Sequence, residues 1–491
     1  MGGGSRHEAD DLLALASRAL DNRQEAQVEP VLAAYAREHP RDARVLHFLG
    51  LLRRELDRRE EALEALQAAR RIAPSDARLA HALAHVSLEA GVPAVRLFEQ
   101  AIALAPSDPD LRLGLASARL AEGDGDRALD ELGTLLSGNA GWVDGHRQFA
   151  QLAMLVGRAD SALASIDRAL TVHPRAEVLH VLAIDLLSDA ERYAEGLGAV
   201  DRALGRCAAT PALLLRRAAL LDDLGDHGSA AAVFDRLGQG TEPDHAIWRT
   251  RHLLRTGQVG QACAEIEPWL DKAGAEAFWP YASLAWRLAG DARAEWLEGQ
   301  PGLITVHDLP CDAAAMHSLK RELEMLHARA GRFMNQSVRK GTQTDGPLFA
   351  RIDSGISALR ERVRAAVADH VRGLGASDPR HPVLAQSREH DPRFAGSWSV
   401  RLRDAGFHES HHHPQGWISG VFYVSLPEAL PEDDGCLVLG EAPASLKLGL
   451  APIKVIKPVP GRLVLFPSQM WHSTRPFLTG DRLTVAFDIK R

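Results

Sequence analysis

The stretch Ala62-Leu63-Glu64-Ala65-Leu66-Gln67-Ala68-Ala69-Arg70-Arg71-Ile72-Ala73-Pro74 reads as one amphipathic helix closed by a proline, and its pattern recurs along the chain. Ala62, Leu66 and Ala69 are spaced by four and then three residues, so they share one helical face. Gly50 precedes Ala62 by twelve residues, and Ala150, Ala162 and Ala169 repeat the same spacings of 12 and 7. A bulky residue stands four after the middle small one at Leu66, Phe98, Ile166, Val200, Phe234 and Ile266. Small residues belong where two antiparallel helices touch, and the bulky one fills the seam between them. Prolines that end helices fall at Pro40, Pro74, Pro106 and Pro174, and Pro211 and Pro243 continue the series at intervals of 32 to 37 residues. A fixed period in this range means a stack of helix pairs.

The order small, small, large, small, proline at a period near 34 resembles the tetratricopeptide repeat, which implies a right-handed superhelix. About seven units fit between Pro40 and Leu297, and residues 8–40 supply another helix pair. Ile184, Gly196 and Thr250 occupy positions where that family prefers other small residues. Such a solenoid exposes a long concave groove, so a peptide or protein segment is the expected partner. Self-association or a spacer role is the plainer alternative.

At 491 residues the chain exceeds one hydrophobic core, which stops growing at roughly 250–300 residues. A net charge of −8 and a pI near 6.3 offer no basic footprint, so nucleic acid is not expected as a partner. No apolar run is long enough to span a membrane, and Met1 to Arg6 carries no apolar signal core, so no membrane partner and a cytoplasmic location are expected. Cys207, Cys263, Cys311 and Cys436 have no C-x-x-C spacing; they read as buried thiols rather than as a disulfide framework or a zinc site.

The repeat pattern fades after Leu297, around Gly299, Pro301 and Gly302, and a short β-prone run follows at residues 303–306. The expected division is a solenoid over residues 1–300 and a second domain over 301–491, with its β core at about 396–491. Residues 312–330 and 353–374 read as flanking amphipathic helices, and the polar segment from Asn335 to Thr344 reads as a loop. Short alternating strands then run over 397–402, 417–426, 436–439, 453–456, 462–466 and 483–489, as in a sandwich or jelly roll.

Within that β region stands His408-Glu409-Ser410-His411-His412-His413-Pro414. Residues two apart in a strand share a face, so His411 and His413 can point inward while His412 points away. His472 follows 59 residues after His413, and Arg482 ten residues later. Two ligands at i and i+2 plus a distant histidine occupy one face of an iron octahedron, leaving positions open for a bidentate co-substrate and oxygen. Arg482 would then lie on the next strand with its guanidinium inside, suited to a carboxylate. Thr484 shares its face, and the Tyr423 phenol can approach from the opposite side, while Leu483, Val485 and Phe487 face an outer packed layer. Glu409 is a rival to His413 for the third ligand. His408 and His412 read as a solvated patch, and Arg482 as a salt-bridge partner of Asp481 or Asp488 is the plainer alternative for that residue. Arg401 is read as a substrate or co-substrate contact or a surface ion pair, Arg339 and Gln343 as lid or turn residues, and Trp417 and Trp471 as packing.

These segments, with Gln336 to Thr344, Gly396 to Leu402, His411 to Gly420 and Leu465 to Ser468, resemble the Fe(II)- and 2-oxoglutarate-dependent oxygenases, and within them a bacterial group in which tetratricopeptide repeats precede the oxygenase domain. The resemblance implies an all-α solenoid followed by a double-stranded β-helix (jelly roll) with flanking helices. It implies iron ligation by His411 and His472, co-substrate anchoring by Arg482 with support from Thr484 and Tyr423, and hydroxylation using Fe(II), 2-oxoglutarate and O2, with ascorbate as a stimulant. The family usually has H-x-D, and here His413 stands at the aspartate position. Two alternatives follow: a non-catalytic repeat scaffold with a metal-binding β-domain, or a three-histidine cupin-like dioxygenase that needs no 2-oxoglutarate.

Overall fold

The computed structural model describes residues 3–238, 242–328, 337–389 and 391–490. They form two compact units, Met1–Thr134 with Gly346–Ala358, and Leu135–Asp345 with Leu359–Arg491.

In the first unit the helix pairs are punctuated by a recurring Pro-x-Asp. Pro40, Pro74 and Pro106 each follow a helix end, and Asp42, Asp76 and Asp108 cap the next helix by accepting from Arg44 N, Arg78 N and Asp110 N at 2.9–3.0 Å. Each cap satisfies a backbone N–H that has no partner inside the helix. The seam is as tight as the small residues require. A Cβ on Gly50 would lie 2.6 Å from Leu66 Cγ, and one on Gly114 would lie 2.2 Å from Phe98 Cε1. Segment 346–358 docks on these helices through Ile352, which donates to Ala90 O at 3.2 Å and packs on the core around Leu66.

The second unit continues the array from Val143–Leu155 to Arg293–Glu298. Ile166, Val200, Phe234 and Ile266 are all buried on the inter-helix seam. Among the described residues eight pairs follow Pro40, against about seven expected, and Gly3–Asn22 with Glu25–Glu38 adds one more. Pro211 and Pro243 do not end helices; each is the first residue of one. A helix start needs no backbone N–H there, so proline fits it.

The β region of this unit contains β1 Thr305–Asp308, β2 Val338–Gln343, β3 Phe394–His408, β4 Gly416–Ser425, β5 Leu437–Leu439, β6 Lys454–Ile456, β7 Arg462–Pro467, β8 His472–Thr474 and β9 Asp481–Lys490. They form an antiparallel six-stranded sheet in the order β1-β7-β4-β9-β3-β2 and a three-stranded sheet β6-β5-β8, the two-sheet layout of a jelly roll. Helices Ala313–His327 and Ser354–Gly373 are those expected at 312–330 and 353–374. The expected loop from Asn335 to Thr344 is corrected: Val338–Gln343 within it is β2, an edge strand paired to β3, while Asn335 and Gln336 lie outside the described residues. Polar residues suit an edge strand because only one side of it is bonded. The thiols are also corrected, since only Cys436 is buried and the other three are partly exposed.

The last repeat helices share an apolar cluster with connecting segments of the β region. Trp279, Tyr281, Ala282, Ala285 and Trp286 pack in a cluster with Leu446 and Trp471. The Trp471 indole donates to Pro280 O at 2.9 Å, Arg255 Nε donates to Ser445 O at 3.1 Å, and Arg287 donates to Gly440 O and Ala451 O.

Candidate metal centre

His411 and His413 lie in the connection between β3 and β4, and His472 opens β8. After β3 ends at His408 the chain leaves the large sheet, and His411 forms a two-bond bridge with His472, N to O at 3.0 and 2.9 Å. The His413 N–H donates to Ser468 O at 2.8 Å. These backbone bonds, rather than a continuous strand, bring three imidazoles together. One ring nitrogen from each of His411, His413 and His472 lies within 4.8 Å of the others, and the ring centroids are 4.1 to 5.1 Å apart.

The ring orientation is set from behind. His411 Nδ1 meets Glu409 O at 2.8 Å, His472 Nδ1 meets Met470 O at 3.0 Å, and His413 Nδ1 meets Asp488 Oδ1 at 2.8 Å. Two carbonyls and a carboxylate can only accept, so each Nδ1 carries the proton and each Nε2 presents a lone pair. Burial, with neighbouring imidazoles adding to it, pushes His411 down to about 3 and His472 well below the usual histidine range. Neutral imidazoles are what a metal requires.

The same cavity is lined by Arg482, Thr484, Ala486 and Phe487 of β9, by Val400 of β3 and by Gly420 of β4. Arg482 is only 1% exposed, yet its Nε and Nη2 have no hydrogen-bond partner among the described residues. A buried cation left in that state is costly unless an anion joins it. The expected rivals for its charge are elsewhere: Asp481 pairs with Arg401 and Arg403, and Asp488 with His413. The Tyr423 ring lies 5.1 Å from Arg482 Cζ, and its fully buried phenol oxygen also lacks a partner among the described residues. Tyr423 is not among the cavity-lining residues, whereas Thr484 is, with a long 3.5 Å bond from its hydroxyl to Val400 O. Phe487, expected to face outward, also borders the cavity, over the gap left by Gly420, where a Cβ would come within 2.2 Å of its ring.

The other singled-out residues are placed as follows. Glu409 is exposed and held by Arg339 through bonds of 3.1 and 2.8 Å, away from the three nitrogens; Arg339 also reaches Glu191. Gln343 lies in β2 opposite Val400. Trp417 donates to Val383 O at 3.0 Å, and Trp471 to Pro280 O, so both pack as expected. His412 turns away and sets its ring edge to face against Trp471 at 4.4 Å. His408 does not belong to a solvated patch: it lines the cavity, and Ser337 Oγ lies between it and His411, 3.0 Å from His408 Nδ1 and 3.3 Å from His411 Nε2. Sequence reasoning missed His408, Ser337 and Asp488. The even spacing from Arg482 through Thr484 to Asp488 along one strand was the signal that could have found the last of these.

Residues 396–488 match the family model described as "Putative 2OG-Fe(II) oxygenase", and residues 93–146 match the tetratricopeptide repeat model. No curated protein matches the chain. Among solved structures, the chain is similar to a tetratricopeptide repeat protein from Parabacteroides merdae ATCC 43184 (18% identity, 48% of this chain and 92% of that one, TM-score 0.32). It is also similar to a Pseudomonas putida prolyl-4-hydroxylase (18% identity, 42% of this chain and 98% of that one, TM-score 0.28). A third is a Trichoplax adhaerens prolyl hydroxylase in complex with a hypoxia inducible factor peptide fragment (13% identity, 42% and 92% covered, TM-score 0.28).

Proposed function

We propose that the β-domain is an Fe(II)- and 2-oxoglutarate-dependent dioxygenase that hydroxylates a peptide or protein segment recruited by the repeat groove. On this reading residues 1–300 recruit and residues 301–491 react. The observation that carries it is the convergence of one ring nitrogen from each of three histidines beside a buried guanidinium that lines the same cavity and whose Nε and Nη2 lack hydrogen-bond partners among the described residues.

His411, His413 and His472 would hold the iron, each kept in the right tautomer by its Nδ1 partner. Arg482 would take the far carboxylate of 2-oxoglutarate with Nε and Nη2, a strong charge-assisted contact, and Thr484, which lines the cavity, and Tyr423, whose ring lies 5.1 Å from Arg482 Cζ, would support it. The apolar walls, Val400, Leu437, Phe466 and Phe487, exclude water around the reacting groups. When bound, iron and 2-oxoglutarate supply oxidation by O2, with the co-substrate leaving as succinate and carbon dioxide. The test is succinate formation from 2-oxoglutarate by the full chain with Fe(II) and ascorbate, together with mass spectrometry of candidate peptides for one added oxygen. Absence of both counts against the enzyme and for a repeat scaffold.

His413 itself favours a second reading, a three-histidine dioxygenase without 2-oxoglutarate. Such an enzyme would not need Arg482, so full activity of Arg482→Ala would select it.

A further inference from the structure

The three imidazoles would give the metal no negative charge, yet a carboxylate stands directly behind one of them. The His413 Nδ1–H donates to Asp488 Oδ1 at 2.8 Å, whereas His411 and His472 donate to neutral carbonyls. Asp488 has no other ion-pair partner among the described residues. Its position is set by neighbours on other strands. Ser419 Oγ donates to the same Oδ1 at 2.5 Å, Ser468 Oγ lies 2.9 Å from Ser419, and Ser468 O receives the His413 backbone N–H. Gly416 closes this group, since a Cβ there would lie 2.5 Å from Ser468 Oγ and 3.3 Å from Asp488 Cβ.

We infer that Asp488 is a positioning residue for the metal, which through His413 restores the negative charge that the three-histidine set lacks. This rests on the metal-binding reading above. A carboxylate on the far nitrogen fixes the ring and raises its donor strength, and charge-assisted bonds are roughly twice as strong as neutral ones. The consequence is an uneven set, two plain imidazoles and one with anionic character.

The experiment uses the full chain with Co(II) as the probe, titrated by calorimetry, and the potential of the iron-loaded protein. Asp488→Asn keeps shape and a hydrogen-bond acceptor but removes the charge. It is expected to weaken Co(II) by about 10- to 100-fold and raise the iron potential while melting with the wild type. Ser419→Ala, which loosens the carboxylate, should move both in the same direction by less. In a His413→Ala background, Asp488→Asn should cause no further loss of affinity, because the route through the imidazole is gone. Wild-type affinity and potential in Asp488→Asn would overturn the inference, and so would a further loss in the His413→Ala background. Failure of the wild type to bind Co(II), or undiminished binding by His411→Ala and His472→Ala, would instead overturn the metal reading and the inference with it.

Discussion

Among the described residues, two places in the second unit gather three side chains that could hold a metal, and they differ in where the free lone pairs point. In the solenoid, Asp222, His227 and His252 converge. There, however, both imidazoles direct Nδ1 at the same Asp222 oxygen at 2.8 Å, and Arg255 bonds the other oxygen. Although burial works against it, these bonds hold the Asp222 carboxyl below its usual range. A cation would have to displace a guanidinium. In the β-domain, the Nδ1 atoms are tied back to acceptors outside the triad and the Nε2 atoms face one another. Proximity of ligating residues therefore says little; the direction of each lone pair decides.

The sharpest way to break this contrast is His472→Ala. It should abolish stoichiometric Co(II) binding and reduce 2-oxoglutarate turnover by more than the roughly 10- to 100-fold typical of an outer-shell change. If His252→Ala did the same, the contrast would fail. Arg482→Ala comes next: losing a buried partner of a carboxylate costs about 2–5 kcal/mol, which is about 30-fold to a few thousand-fold in the KM for 2-oxoglutarate, read from succinate release. Asp222→Ala should leave Co(II) binding intact but remove the acceptor that two imidazoles share and one of the two carboxylates of Arg255, which keeps Asp223, lowering stability by about 1–3 kcal/mol in urea unfolding. Gly50→Ala, in the first unit, forces a Cβ to within 2.6 Å of Leu66 Cγ and should cost about 1–3 kcal/mol with no change in metal binding.

The smallest effect concerns buried imidazoles that belong to neither triad. Burial pushes His327, bonded to Thr342 and Ser399, and His370, bonded to Thr305, down to about 4. A folded-state value below the unfolded one means that the unfolded chain binds more protons, so this contribution is present above about pH 6.5 and is lost as pH falls toward 4. The metal-free protein should show a falling thermal midpoint across that window, and His327→Gln should flatten the fall. An unchanged slope would move the acid sensitivity to other groups.

The repeat array was legible because a 34-residue period repeats one packing problem many times, and each solution leaves the same small residues. The histidines were legible as a spacing, and Arg482 as a strand parity. What escaped has physical reasons. β3 runs from Phe394 to His408, but Asp404 and Ala405 adopt positive φ, so its alternation breaks just before His408. The fourth imidazole thus looked like surface. β2 was hidden because an edge strand with one bonded side carries loop-like residues. Asp488 resembled its neighbour Asp481 in sequence, yet the two stand on opposite faces of β9, one meeting an imidazole and the other two arginines.

The indole of Trp471, next in the chain to His472, is satisfied by a carbonyl of the helix Trp279–Ala289 and meets the Tyr281 ring edge to face at 5.6 Å. The final repeat is therefore bound into the β region and is not an interchangeable cassette. A chimera grafting a foreign array at residue 300 would leave that N–H stranded beside bared aromatic rings, so an exchange of arrays has to be made further toward the N-terminus.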